Sequence, residues 1–235
     1  NILAKNKSIK LSERRGIEGS ILTNSVTVTI SKFSGTSIGI KSSSTSETVM
    51  YDAFSRWISS YRDLPYSINQ WCNVVRWEKK TKPFIRTTEF LWQEGHSVLA
   101  TEKETDEMAL GRLEEYRTFF EETLCIPMYV GKKSEKEKFA GALYSTACEA
   151  LLKDGKALQS ATSHNLGQNF SKSFNIQFEN ENGKREYAWQ SSWGMSTRTI
   201  GGVILTHGDD KGLVLPPDIA PVQIVVVPIY NKDKG

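Results

Sequence analysis

The stretch Val75-Arg76-Trp77-Glu78, followed after a short basic turn by Arg86-Thr87-Thr88-Glu89-Phe90-Leu91-Trp92-Gln93-Glu94-Gly95-His96, decides how the rest of the chain is read. Two strands are expected, Tyr66 to Lys79 and Phe84 to Leu99, joined by Lys79-Lys80-Thr81-Lys82-Pro83. Side chains two apart on a strand share a face, so Arg76 and Glu78 point the same way. By the same rule Arg86, Thr88, Phe90, Trp92, Glu94 and His96 form one face of the second strand, and Ile85, Thr87, Glu89, Leu91 and Gln93 the other. An amphipathic strand ordinarily sets apolar groups inward and polar groups in water. Here one face mixes a cation, a hydroxyl, two rings, a carboxylate and an imidazole. That is the composition of a ligand site.

Working outward, Ile21 to Ile40 is rich in Ser, Thr, Val and Ile, with the alternation Val26, Val28, Ile30 of a strand. From Glu47 to Tyr61, Met50, Phe54, Trp57, Ile58 and Tyr61 recur at helical spacing, with Thr45 or Ser46 as the cap. Thr105 to Leu124 reads as a second amphipathic helix and Lys136 to Leu152 as a third. Strand signals return at Leu158, at Asn175 to Phe178 and at Tyr187 to Ser191, with Asn180-Glu181-Asn182-Gly183 as a hairpin turn. Gly194 is expected to open a helix carrying Arg198, Ile200, Val203 and Ile204, where Gly201 and Gly202 permit close packing. Val222 to Ile229 reads as a final strand, and Trp57 and Trp71 as core. Hairpins followed by helices imply an α+β fold with an antiparallel sheet flanked by helices.

Bulk properties exclude some classes. The chain has 235 residues, 38% hydrophobic and 24% charged, enough for one sizeable core. A net charge of +3 sets up no strong field for nucleic acid. Cys72, Cys125 and Cys148 are too widely spaced for a zinc cage and read as buried reduced thiols of a cytoplasmic protein. No apolar run is long enough to span a bilayer, and no signal peptide is apparent.

Four ordered blocks carry a resemblance: Arg76-Trp77-Glu78 with Arg86 to His96; Thr45-Ser46-Glu47-Thr48; Leu158-Gln159-Ser160-Ala161-Thr162-Ser163-His164 with its continuation to Phe170; and Ser191 to Gly201 around Arg198. The first and last are similar to motifs 2 and 3 of the class II aminoacyl-tRNA synthetases. Together the wording resembles prolyl-tRNA synthetases of the archaeal/eukaryotic-like type, over about residues 44–230. The segment 1–43 is unassigned and strand-rich, and 231–235 is a tail. Motif 1 and the anticodon-binding domain are not visible. The span from His96 to Gly194 leaves no room for the editing insertion that the related bacterial type carries between motifs 2 and 3.

The resemblance implies activation of L-proline by ATP with Mg, then transfer to tRNA(Pro), in a family whose full-length members are homodimers. It implies catalytic roles for Arg76, Arg86 and Arg198. Proline contacts would come from Thr45, Glu47, Arg76, Trp92, Glu94, His96 and His164. The ATP contacts would be Arg76, Glu78, Arg86, Phe90, Gln159, Thr162, Ser196 and Arg198, with Phe90 under the adenine and Arg198 over it. Magnesium would ride on the ATP phosphates, not in a protein cage. Arginine suits such work because its planar fork meets phosphate or carboxylate oxygens in pairs.

Three points stay open on residues alone. Gln159 and Thr162 differ in strand parity, so joint contact with one nucleotide needs a bulge. Ser160-Ala161 stands where the family commonly has Ala-Gly, so a methyl is expected to crowd ATP or strain a positive φ. The run Lys132-Lys133-Ser134-Glu135-Lys136-Glu137-Lys138 mixes signs and reads as a solvated loop or helix start. A non-charging, synthetase-like accessory module is the competing reading, and a class II synthetase for another amino acid a third.

Overall fold

A computed structural model describes residues 19–23, 26–32, 38–41, 46–76 and 78–229. The chain's centre is a six-stranded antiparallel sheet in the order β4-β5-β11-β8-β7-β6. Its strands are β4 (Tyr66–Val75), β5 (Glu89–Leu99), β6 (Met128–Lys132), β7 (Tyr144–Leu151), β8 (Ala157–Gly167) and β11 (Trp189–Ser196). Earlier in the chain, β1 (Gly19–Thr23), β2 (Val26–Lys32) and β3 (Ile38–Lys41) pair into a separate antiparallel sheet within the expected strand-rich segment. The short pair β9 (Gln177–Glu179) and β10 (Arg185–Tyr187) flanks the expected hairpin turn, where the Asn180 amide donates to the Lys184 carbonyl at 2.9 Å.

The helices are α1 (Glu47–Trp57), α2 (Glu102–Thr118), α3 (Asn169–Phe174) and α4 (Arg198–His207). A capping box starts α2, with Thr101 and Glu104 each binding the other's backbone N–H. Its last turn widens into a π-helical turn, Phe119–Thr123. One sheet face is sealed by α2 and its π turn, whose Leu113, Tyr116 and Phe120 pack with Cys148, Ala150, Leu158 and Ala161. The opposite face carries α1 and α3 over one end, where Tyr51, Phe54, Val98, Leu166 and Ile176 form a second core. Beside them that face opens into a cavity lined by residues of β5, β8 and β11.

Several expectations give way. Lys136 to Leu152 is not a helix: Tyr144–Leu151 is strand β7, because pairing to β6 and β8 outweighs the helix propensity of its Ala, Glu and Leu. Val222 to Ile229 forms no strand and its apolar side chains are exposed, since β propensity without a partner strand makes no ladder. Trp57 and Trp71 are 53% and 76% exposed, so neither is core. Gly194 lies inside β11, which runs on to Ser196 before α4 begins. Strands β4 and β5 stop at Val75 and start at Glu89, short of the expected Lys79 and Phe84. Of the cysteines, Cys148 is buried, Cys72 half-buried and Cys125 exposed.

Candidate active site

The parity of β5 places its residues as expected. Trp92, Glu94 and His96 line a cavity of about 240 Å3, together with Glu47, Arg76, Gln159, Thr162 and His164. Across the strand, Gln93 faces the other way and accepts a hydrogen bond from Tyr116 of α2 at 2.5 Å.

Glu94 is the hub of this chamber. Its carboxylate accepts from the Ser46 hydroxyl at 2.5 Å, from the Gln70 carboxamide and from His96 Nε2 at 3.2 Å. Burial pushes its carboxyl up, but the hydrogen bond and charge of His96 and the bonds from Ser46 and Gln70 outweigh that and hold it below the ordinary value. On its far side His96 Nδ1 meets the buried Tyr51 hydroxyl at 3.1 Å. Glu47, in the first turn of α1, is also buried, and desolvation raises its carboxyl despite the opposing charges of His96 and Arg76.

His164 completes the wall from β8. Its Nδ1 lies 2.7 Å from the Ser145 hydroxyl, and burial, then the Lys133 and His96 charges, press its pKa down to about 4. The ring is therefore neutral at pH 7.

Arg76 joins this chamber to two smaller clefts. One, about 130 Å3, is bordered by Arg76, Glu78, Arg86, Phe90, Ser196 and Arg198. The other, about 100 Å3, lies among Arg76, Phe90, Gln159, Thr162, Ser196 and Arg198. The Arg76 guanidinium stands 5.1 Å from the Phe90 ring centre, in cation–π range. Arg86 and Glu78 approach at 3.6 Å. Arg198 donates through Nε to the Ile85 carbonyl at 3.0 Å and through NH1 to the Gln159 carbonyl at 3.2 Å, which pins α4 to both the β4–β5 connection and β8. Burial, then the charges of Arg86 and Arg76, lower the Arg198 guanidinium, and all three arginines border the one cleft.

The parity problem of Gln159 and Thr162 is resolved by a bulge. Cys148 pairs with Ala161, but the next residue, Glu149, pairs with Gln159, leaving Ser160 as the extra residue. Both side chains therefore reach the cavity. Among the described residues Ala161 is not one of those with positive φ, and it packs in the core, so the expected strain at this position is not found.

Thr45 falls outside the described residues, and the cap expected from Thr45 or Ser46 is not made by Ser46, whose hydroxyl serves Glu94 instead. Every other residue expected at the site, apart from Thr45, borders one of the three chambers. The sequence reading missed Lys133, Glu137, Phe139, Ser192 and Gly194, which also line the large chamber, whereas the ring of Trp193 packs on the opposite sheet face under Arg112 of α2. The first three come from the mixed-charge run and its continuation, where no periodicity marks an inward side chain; Ser192 and Gly194 lay within the motif 3 block.

Comparison with known proteins points the same way as this geometry. Residues 39–207 match the model of the tRNA synthetase class II core domain (G, H, P, S and T). The chain is 59% identical over 189 residues to a proline–tRNA ligase of Borreliella burgdorferi (strain ZS7), covering 80% of this chain and 39% of that protein. It is 59% identical over 192 residues to one of Rubrobacter xylanophilus, covering 81% and 40%. It is 58% identical over 189 residues to the chloroplastic/mitochondrial proline–tRNA ligase of Arabidopsis thaliana, covering 80% and 35%. The chain thus spans about two-fifths of the length of the curated relatives it matches.

Proposed function

The chain belongs to the tRNA synthetase class II core family, and from that membership we propose that it activates L-proline with ATP to give prolyl-adenylate, the first half of charging tRNA(Pro). The observation that carries the reading is Arg76, which borders all three chambers and so stands where an amino-acid carboxylate and an α-phosphate would meet. A proline carboxylate oxygen attacks the α-phosphorus, a new P–O bond forms, and the bond to the β-phosphate oxygen breaks with release of pyrophosphate. No proton needs to move. What the protein must supply is alignment and positive charge on the equatorial oxygens, which guanidinium groups in a dry site provide.

The large chamber suits proline. At about 240 Å3 it lies just below the ~300–1,000 Å3 typical of ligand pockets, as a small substrate requires. Glu47 and Glu94 offer negative charge to the secondary ammonium, and the neutral His164 adds no repulsion. Trp92 supplies an apolar wall. A ring without polar handles gives limited discrimination, about 10- to 200-fold against small apolar competitors.

On the nucleotide side, Phe90 stacks under the adenine with Arg198 above it, Glu78 accepts from the exocyclic amine, and Arg86 binds the γ-phosphate. Gln159, Thr162 and Ser196 take the sugar and backbone positions between. Among the described residues no cluster of acidic, histidine or cysteine side chains could cage a metal alone, while the gathered arginines fit a polyphosphate. Magnesium would arrive on the β- and γ-oxygens of ATP and neutralise charge there. Delivery to tRNA(Pro), and assembly as a homodimer, extend the same reading to the whole enzyme.

Proline-dependent exchange of labelled pyrophosphate into ATP tests it. Arg76→Ala should lower exchange about 100- to 1,000-fold, the size of losing one preorganised charge stabiliser. Absence of exchange in the unaltered chain, with proline or ATP still binding by calorimetry, would overturn activation in favour of a non-charging module.

A further inference from the structure

Gln159 sits where the amino-acid chamber meets the nucleotide cleft, and it borders both. Its two polar ends are held separately. The backbone carbonyl accepts from Arg198, and side-chain Oε1 accepts from Lys133 Nζ. Lys133 follows directly on β6, and its own N–H donates to the Ser145 carbonyl at 2.8 Å, so the root of the side chain is tied to β7. The segment it opens also frames His164. Phe139 lies 5.1 Å from that ring, and its N–H donates at 2.8 Å to the Ser145 hydroxyl that His164 contacts.

A carboxamide can present either its oxygen or its NH2 group, and the two orientations differ little in shape. An ammonium has donors and no acceptor, so it selects the oxygen. Resting on the reading under Proposed function, we propose that Lys133 is a positioning residue of the activation reaction. It locks the Gln159 carboxamide so that the NH2 end, and not the carbonyl oxygen, meets the ligand where the chambers join. Every group expected there, a carboxylate, a phosphate or a ribose hydroxyl, can accept, and the first two can only accept. A flipped carboxamide would set oxygen against oxygen at the junction where the acyl-phosphate bond forms.

The test uses the full 235-residue chain as Lys133→Met, Lys133→Arg, Gln159→Met and the Lys133→Met/Gln159→Met double variant. In the ligand-free protein, the heteronuclear NOE of the Gln159 NH2 group, assigned by its disappearance in Gln159→Met, should be high in the unaltered chain and in Lys133→Arg. It should fall in Lys133→Met. In pyrophosphate exchange, Lys133→Met and Gln159→Met should each lower kcat/KM for ATP about 10- to 100-fold, the worth of a charge-assisted hydrogen bond. The double variant should lose no more than about 3-fold beyond either single one, because the two residues act as a unit. A rigid Gln159 amide in Lys133→Met, or losses that multiply in the double variant, overturns the positioning role. If the unaltered chain shows no exchange, it is the proposed activation that fails, and the NOE comparison alone decides the role of Lys133.

Discussion

Two adjacent glycines in α4 should respond to alanine in opposite ways. A Cβ at Gly202 would sit 3.6 Å from Leu158 Cδ2 and 3.8 Å from Ile126 Cδ1, ordinary van der Waals contact in the core behind the sheet. Gly202→Ala therefore gains helix propensity, about 1 kcal/mol, with no steric cost. For a domain of this size that raises Tm by roughly 2–4 °C. A Cβ at Gly201 would instead meet Ile85 Cδ1 at 2.5 Å and Phe84 Cβ at 3.1 Å. The Ile85 methyl can swing aside but the Phe84 Cβ cannot, and overpacking of this kind costs about 1–3 kcal/mol. Set against the same propensity gain, Gly201→Ala should lower Tm by somewhere between nothing and about 8 °C. The larger effect is on chemistry. The displaced connection carries the Ile85 carbonyl that seats Arg198 Nε at 3.0 Å, and a misplacement of about 1 Å at a reacting centre costs on the order of 100-fold. Differential scanning calorimetry and pyrophosphate exchange on the two variants check this. If Gly201→Ala gains stability and keeps full exchange like Gly202→Ala, the contact between α4 and the β4–β5 connection does not position Arg198.

Three further outcomes follow from the buried network. His164 carries a folded pKa of about 4 against an unfolded value near 6.5, so the unfolded chain takes up its proton first as pH falls. Stability should decline from pH 6.5 to 4 by up to about 3 kcal/mol, and urea melts of His164→Gln should lack that part of the slope. Glu94 is held below its ordinary value, so the stability it contributes is complete above about pH 4.5 and lost as pH falls through the folded pKa. Glu94→Ala leaves Ser46, Gln70 and His96 without their shared acceptor and should cost about 2–4 kcal/mol in chemical denaturation, water entering from the chamber limiting the loss. Tyr51→Phe strands His96 Nδ1 in the core beside α1 and should cost about 1–3 kcal/mol while raising the KM for proline more than that for ATP.

Which residues line the candidate site was more legible in the sequence than parts of the fold. Phe90, Trp92, Glu94 and His96 were placed correctly because a strand has a period of 2 and one residue type per face is easily seen to be violated. The strand β7 was hidden because Ala147, Glu149, Ala150 and Leu151 favour helices locally, and only its neighbours β6 and β8 make it a strand. Exposed Trp57 and Trp71 were misread because size and apolarity do not say which way a side chain faces. Lys133 escaped notice among like and unlike charges, since its meaning lies in Gln159, 26 positions along the chain. The bulge could be stated as a requirement from Gln159 and Thr162, yet its location at Ser160 needed the pairing with β7.

That bulge makes β8 a strand whose reading frame shifts by one. Before it Leu158 enters the core and Gln159 the cleft; after it Ala161 enters the core and Thr162 the cleft. The Ser160 hydroxyl donates to the Leu158 carbonyl at 3.1 Å, answering a backbone acceptor in the stretch where the ladder breaks. Were this one small residue instead paired into the ladder as an ordinary member of the alternation, with the frame after it held, Leu158 would turn toward the nucleotide and Gln159 toward the hydrocarbon interior. A single residue thus separates a strand that only builds the sheet from one that also serves the substrate.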